Sequence, residues 1–300
     1  MSRIKAILSA VLVTVLWSSS WVLIKIGLQN QIPPLTFAGV RYFLAFICLL
    51  PLILLNKRYF EQVKSLKPKD WVNFAILGIL FNFITQGAQF VSLGYLNAAN
   101  LGLIINLTPV IVTGFSFLAN SEKPSKLQTV ALLIAIAGVM IYFYPFDFPE
   151  AHYYGIIAAV VCLLANSAGA LKGRTVNRDA TVSALVITTI SMGFGSVLLL
   201  STGIIAEPDI SLTATDIYII LWLAVVNTSF AFTLWNKTLK VLTAVESSVI
   251  NGLMLPQIAL LAYFFLDESL TGLQIFALVV VISGVLLVQI APKITGRKRN

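Results

Sequence analysis

Charged residues are scarce in this sequence: they make up 11% of its 300 residues, whereas hydrophobic residues make up 58%. An ordinary soluble chain carries about 25% charged and roughly 45–50% apolar residues. A soluble fold of this size could not hide so much apolar surface, and disordered chains are poor in apolar residues. The composition therefore excludes both classes and predicts an integral membrane protein.

Cysteine and histidine are also rare, with two cysteines and one histidine. Cys48 and Cys162 lie inside long apolar runs, which disfavours a disulfide framework. His152 alone cannot build a histidine-rich metal site, and the sequence has no Cys-x-x-Cys pair, so neither a metal nor another cofactor is expected. The basic residues lie in short loops between apolar runs, which is a sign of membrane topology and excludes nucleic acid as the expected partner.

Long hydrophobic runs dominate what is present. A helix needs about 20 mostly apolar residues to cross the hydrocarbon core, whereas barrel strands alternate in polarity over about ten residues. The first run resembles a signal peptide, but apolar character continues to Gly27, which favours an uncleaved span. The sequence thus predicts an all-α integral membrane protein with ten transmembrane helices at about 6–27, 34–55, 71–93, 96–118, 125–144, 153–173, 181–203, 216–237, 242–265 and 270–290.

Lysine and arginine are distributed asymmetrically about these spans. With ten spans both termini lie on one side, and every basic residue falls on that side except Lys25 and Arg41, which lie inside predicted spans. Cytoplasmic loops carry an excess of Lys and Arg. The sequence therefore predicts a multi-pass protein with both termini in the cytoplasm and the lipid bilayer as its partner.

The chain contains an internal repeat. Pro109 and Pro256 are 147 positions apart, and pairs of Lys, Glu and Gly share offsets of 146 or 147. Chance similarity between apolar segments is the alternative, although four offsets that agree to within one residue weaken it. We predict two five-helix halves, 1–146 and 147–300. Because five is odd, the halves would be inverted, as in many secondary transporters.

Short motifs recur in order along nearly the whole chain. They are Leu16-Trp17-Ser18-Ser19-Ser20-Trp21, Pro33-Pro34 with Arg41-Tyr42, Asn106-Leu107-Thr108-Pro109-Val110 with Glu122, Leu234-Trp235-Asn236-Lys237, and Pro256 with Asp267-Glu268-Ser269-Leu270-Thr271. As an ordered set they resemble the EamA-type, ten-helix members of the drug/metabolite transporter superfamily. The chain departs from the family at Ser18, where glycine is usual, and at 165–168, where a Trp often lies.

The resemblance implies a transporter of a small-molecule substrate in a bacterial inner (plasma) membrane. Family members move amino acids, other small metabolites, nucleotide sugars or drugs, often outward. Spans 1, 3, 4, 6, 8 and 9 would surround a central cavity. Spans 5 and 10 would lie at the periphery, where they could support a homodimer.

Polar side chains inside the spans point to the pathway, because they are costly in hydrocarbon unless they meet partners or a wet cavity. Asn82, Gln86 and Gln89 follow the i, i+4, i+7 spacing of one helical face. Hydrogen bonding that merely holds the bundle together is the alternative for each residue. The further candidates for substrate binding are Trp17, Trp21, Asn106, Asn166, Asn227, Trp235 and Asn251.

Three residues are candidates for gating. Pro109 and Pro256 each free the carbonyl four residues earlier and kink their helices, so they are either matched gate elements or static kinks. Arg41 lies about seven residues into span 2. It would either bind a substrate carboxylate or brace the gate on that side, and bracing is favoured because span 2 is not an expected cavity helix.

Acidic residues are absent from the middle of every predicted span, and Glu246 lies only a few residues inside span 9. Proton-coupled export of cations normally needs a buried carboxylate, which disfavours a multidrug or amphipathic-cation exporter. We therefore expect a secondary transporter that exports small metabolites, with amino acids or related carboxylates as the first choice of substrate. An intramembrane enzyme would need a nucleophile–base pair or metal ligands at membrane depth, so no enzyme is expected. A non-enzymatic lipid-handling protein is the other alternative.

Overall fold

The computed structural model describes residues 2–120, 125–145, 149–179, 181–207, 212–238, 241–242, 247 and 250–294. Over these residues all regular elements are helices. They are α1 (Arg3–Gln29), α2 (Pro34–Leu54), α3 (Lys57–Lys64), α4 (Pro68–Tyr95), α5 (Ala98–Ile105), α6 (Thr108–Asn120), α7 (Lys126–Phe143), α8 (Glu150–Asp179), α9 (Ala184–Ala206), α10 (Ala214–Ala224 with Val225–Phe230 and Ala231–Thr238), α11 (Met254–Leu266) and α12 (Gly272–Ile294).

The chain is an all-α membrane protein. Within the described ranges, seven helices are long and apolar enough to cross a membrane, and shorter apolar helices cover Ala98–Val112, Ile250–Leu266 and Gly272–Val288. These shorter helices fall in the three remaining predicted spans. Large apolar side chains cover the outside of the bundle, among them Leu55 with 86% of its surface exposed and Ile205 with 82%. Such a surface needs lipid as its solvent.

Local capping signals set where several helices begin. The side chains of Ser2, Ser125, Ser183 and Thr213 accept a backbone N–H from the first turn of α1, α7, α9 and α10. A helix start leaves backbone N–H groups without partners, and a Ser or Thr oxygen satisfies one of them. Proline opens α2 and α4, where its missing N–H costs nothing.

Glycines bring helices into close contact. A Cβ atom added to Gly138 on α7 would lie 2.9 Å from the backbone nitrogen of Val281, and one added to Gly284 on α12 would lie 2.6 Å from that of Ala135. Each glycine therefore faces the backbone of the other helix. The two helices predicted to be peripheral thus pack on each other, one from each predicted half.

Two irregularities recur in both parts of the chain. Residues Ile79–Thr85 in α4 and Val225–Phe230 in α10 are π-helical, and the two segments start 146 positions apart. The kinks expected before Pro109 and Pro256 are also present. The backbone turns at 106–107, between α5 and α6, and again at Leu253, just before α11.

Candidate binding cavity

A central cavity of about 340 Å³ lies among α1, α2, α4, α5, α6, α8, α10 and α11. Two of the residues predicted for gating, Arg41 and Pro109, line it. Eight of the residues predicted for substrate binding line it as well, namely Trp17, Trp21, Gln86, Gln89, Asn106, Asn166, Asn227 and Asn251. Residues far apart in the sequence therefore meet at one place.

Asn82, Trp235 and Pro256 do not line the cavity. For Asn82 the π-helical segment explains the difference, because its i→i+5 pattern adds a residue to the turn and rotates what precedes it. Asn82 packs instead against α9, where its Cβ lies 2.6 Å from the position of a Cβ added to Gly195. The uniform face predicted for this helix therefore breaks between Asn82 and Gln86.

This rotation can be tested by thiol accessibility. In a background with Cys48 and Cys162 replaced by alanine, we expect Gln86→Cys and Gln89→Cys to react with a water-soluble maleimide about tenfold or more faster than Asn82→Cys. The readout is the modification rate by mass spectrometry, with all three variants reacting alike in denaturing detergent. Equal native rates for Asn82→Cys and Gln86→Cys would contradict the rotation.

Aromatic rings form one wall. Trp17 packs against Phe232 and Trp235, with ring centroids 5.3 Å away in both cases. Phe232 and Trp17 line the cavity, and Trp235 supports Trp17 from outside the lining. Offset and tilted pairs of this kind stabilise each other beyond simple burial, so the wall has a fixed shape.

Several lining residues were missed from the sequence, including Tyr42, Thr85, Thr108 and Phe232. A signal existed for Thr108. Proline frees the carbonyl four residues back, and the Thr108 hydroxyl donates to that carbonyl, of Ile105, at 2.6 Å. The same hydroxyl accepts a bond of 3.0 Å from Nδ2 of Asn166, so the helix break and the cavity wall share one residue.

Asn227 joins α10 to α1. Its Nδ2 donates to the Leu16 carbonyl and, over 3.1 Å each, to the hydroxyls of Ser19 and Ser20. Its Oδ1 is buried and has no partner in the described structure. Asn227 therefore holds the bundle together at the same position where it lines the cavity.

Arg41 is the one charged residue lining the cavity within the described chain. It lies on α2, the helix not expected to contribute, and only 4% of it is exposed. Its Nε donates to Oγ1 of Thr228 over 3.2 Å.

Glu122 and Glu246 lie outside the described residues. The described residues contain no group of His, Cys, Asp or Glu that could hold a metal ion.

Two acidic side chains, those of Glu268 and Glu207, cap the starts of helices away from the cavity. Glu268 accepts the backbone N–H groups of Ala98 (3.0 Å) and Ala99 (3.4 Å) at the start of α5. Glu207 accepts those of Leu35 and Thr36 at the start of α2. Carboxylates at helix starts satisfy free N–H groups and favour the helix dipole. These acids therefore have a structural role and do not face the cavity.

Lys25 binds the end of α4, next to the start of α5 that Glu268 caps. Its Nζ donates to the carbonyls of Leu93 (2.7 Å) and Leu96 (2.8 Å) at the end of α4. The turn between α4 and α5 is thus held by a cation at the preceding helix end and an anion at the following helix start. The two charges come from opposite ends of the sequence.

The sequence matches the profile of a protein family described as the EamA-like transporter family, over residues 4–144 and again over 153–290. It is 23% identical to "Uncharacterized transporter YoaV" of Bacillus subtilis, over 89% of this chain and 91% of that protein. It is 25% identical to the "Probable amino-acid metabolite efflux pump" of Escherichia coli, over 95% of this chain and 94% of that one.

The fold also resembles a solved structure. A crystal structure superimposes with a TM-score of 0.67 and 18% sequence identity, covering 96% of this chain and 98% of the other. At that identity the likeness shows a shared fold alone. Together the two profile matches cover most of both parts of the chain.

Proposed function

Because the chain belongs to the EamA-like transporter family, we propose that it is a secondary transporter that exports small metabolites, with amino acids or related carboxylates as its substrates. The family establishes a transporter, not an enzyme. The substrate class rests on the chemistry of the cavity. The name of the Escherichia coli relative points in the same direction.

One observation carries the choice of substrate: among the described residues, the cavity lining combines one arginine with many carboxamides. Carboxamides both donate and accept hydrogen bonds, and arginine binds carboxylates through parallel N–H bonds. Such a lining suits zwitterions and small anions. The carboxamides are those of Gln86, Gln89, Asn106, Asn166, Asn227 and Asn251.

We further propose ten membrane spans arranged as two inverted halves, 1–146 and 147–300, that alternate access to this cavity. The recurrence of the π segments and of the helix breaks at offsets of 146 or 147 supports the repeat. The prolines at these breaks, Pro109 and Pro256, would act as matched gate elements. Both termini would face the cytoplasm of a bacterial inner membrane, as the positions of Lys and Arg favour.

The second candidate is an exporter of amphipathic cations. It would need an acidic group at the cavity to receive the cation. Over the ranges that the structure describes, the lining includes no Asp or Glu, which favours the first proposal.

Counterflow in proteoliposomes tests the proposal. Vesicles loaded with unlabelled amino acids, organic acids, nucleosides or cationic dyes are given a trace of the same labelled compound outside. We expect amino acids or related carboxylates to drive transient accumulation of label. Protein-free liposomes and the folded protein without internal substrate are the controls.

Other outcomes of this assay are equally informative. Accumulation with cationic dyes alone would contradict the substrate class and support the cation exporter. No accumulation of any compound by folded protein would contradict small-metabolite transport.

A further inference from the structure

Arg41 is a buried cation, and no acidic residue in the described part of the chain compensates its charge. Among the residues that the structure describes, no carboxylate lies within salt-bridge distance of it, and the nearest aromatic rings are those of Tyr42 at 5.0 Å and Phe90 at 5.9 Å. Removing an ion from water is costly unless a partner replaces the lost hydration. An anion bound beside Arg41 would supply such a partner.

The guanidinium is held from one side and open on the other. Its Nε donates to the hydroxyl of Thr228, and that hydroxyl donates in turn to the Leu223 carbonyl at 2.8 Å. The two terminal Nη atoms have no hydrogen-bond acceptor in the described structure. They are nevertheless accessible to solvent, since they are absent from the set of fully buried polar atoms without a partner. Since Arg41 lines the cavity, its free edge faces that space.

This geometry differs from that of a brace. A bracing arginine would spend its Nη groups on helix-end carbonyls or on an acid of a neighbouring helix. At the corner between α4 and α5 that task belongs to Lys25, which donates to two carbonyls. Arg41 is instead pre-organised, with its Nε bonded, its plane flanked by rings, and its bidentate edge unused.

We propose that Arg41 is a substrate-binding residue whose Nη edge takes the carboxylate of the transported solute, and that Thr228 is its positioning residue. The inference rests on the proposed transport function and narrows its substrate class. Because Arg41 is the one cation lining the cavity among the described residues, the site fits a single carboxylate and not a dianion such as a phosphate ester. Solutes without a negative group, including carboxamides and cationic dyes, would be rejected.

The test pairs each acid with its amide. L-Leucine, L-threonine and L-phenylalanine are compared with their carboxamides in counterflow by the wild type, Arg41→Gln, Arg41→Lys and Thr228→Val. In the wild type we expect the acids to be preferred by roughly 10- to 100-fold, the range for a hydrogen bond between charged groups. In Arg41→Gln this preference should fall to near one, and Arg41→Lys should retain part of it.

A second measurement uses the wild-type protein alone, so that misfolding of a variant cannot obscure the result. The acid that drives counterflow best should raise the thermal unfolding midpoint of purified protein, and its amide should not.

In the counterflow assay, Thr228→Val should weaken the preference for the acid over the amide without reversing it. A ratio of acid to amide is informative because a purely structural role of Arg41 would slow both solutes equally.

The results separate the two proposals. If Arg41→Gln lowers transport of acid and amide by the same factor, or if the wild type transports both equally, the assignment of Arg41 is overturned while carboxylate transport stands. If folded wild type moves none of the acids in the full panel, the proposed function itself fails.

Discussion

Replacement of Gly78 with alanine is expected to lower the thermal unfolding midpoint by about 2–5 °C or to prevent folding, a range that follows from a cost of ~1–3 kcal/mol for overpacking a core. Gly78 lies where α4 crosses α9. A Cβ at this position would overlap the backbone carbonyl oxygen of Ser191 and lie 3.1 Å from the backbone nitrogen of Gly195. Backbone atoms cannot move aside as a flexible side chain can, so the two helices would have to separate.

Gly94→Ala is the matched control, because Gly94 lies in the same helix and a Cβ there would meet nothing within 4 Å. Both variants replace glycine with alanine in the same helix, a change that by itself favours the helix. The comparison uses thermal unfolding in detergent, followed by intrinsic fluorescence or aggregation. A Gly78→Ala midpoint within about 1 °C of that of Gly94→Ala, about the effect of half a kcal/mol, would show that the crossing has room for the added methyl group.

The second large effect is expected at Glu268. Glu268→Ala should destabilise the protein by about 2–3 kcal/mol, since it leaves two buried N–H groups without a charged acceptor. The carboxylate is only 8% exposed, and it binds the N–H groups of Ala98 and Ala99. Asn97, the residue at the cap position of α5, makes no capping bond with its own side chain, so no local group substitutes for the lost carboxylate.

Two variants bracket this prediction and are measured by the same unfolding assay. Glu268→Gln keeps one carbonyl acceptor and should lose about half as much stability. Asp267→Asn removes the neighbouring exposed charge at a residue with a φ of 54°, a conformation that Asn tolerates, and should change little. An Asp267→Asn loss as large as that of Glu268→Ala would show that general charge, and not the cap, matters at this corner.

The sequence predicted much of the fold because lipid imposes a simple rule. Apolar runs of sufficient length become helices, since every backbone group must be bonded internally. The same rule brings most of the candidate residues to one place in the structure: polar side chains in such runs line the cavity, as Gln89 and Asn251 do. The broken helices were also anticipated, because proline removes a specific hydrogen bond.

The sequence could not show which way some side chains point, because this depends on the rotation of each helix about its axis. The prediction that Asn82, Gln86 and Gln89 share one face assumed a regular α-helix. No residue in Ile79–Thr85 indicates a π-helical segment. The contribution of α2 was missed for a similar reason. Whether Arg41 and Tyr42 point inward or outward depends on the rotation of α2 about its axis. That rotation reflects tertiary packing, such as the close approach of Gly39 to the backbone of Leu200 on α9.

The positive charge of Arg41, which no described acidic residue neutralises, has an electrical consequence. With one positive charge and no acid among the described lining residues, the empty cavity carries a positive charge. A bound monoanion would neutralise this charge, whereas a zwitterion such as leucine would leave the net charge unchanged. Carrying a unit charge through the full membrane potential involves about 2.3 kcal/mol per 100 mV. For a monoanionic solute, voltage would therefore act on the return of the empty carrier and leave the loaded step nearly untouched, whereas for a zwitterion it would act on both steps. Exchange of one monoanion for another would be electrically silent.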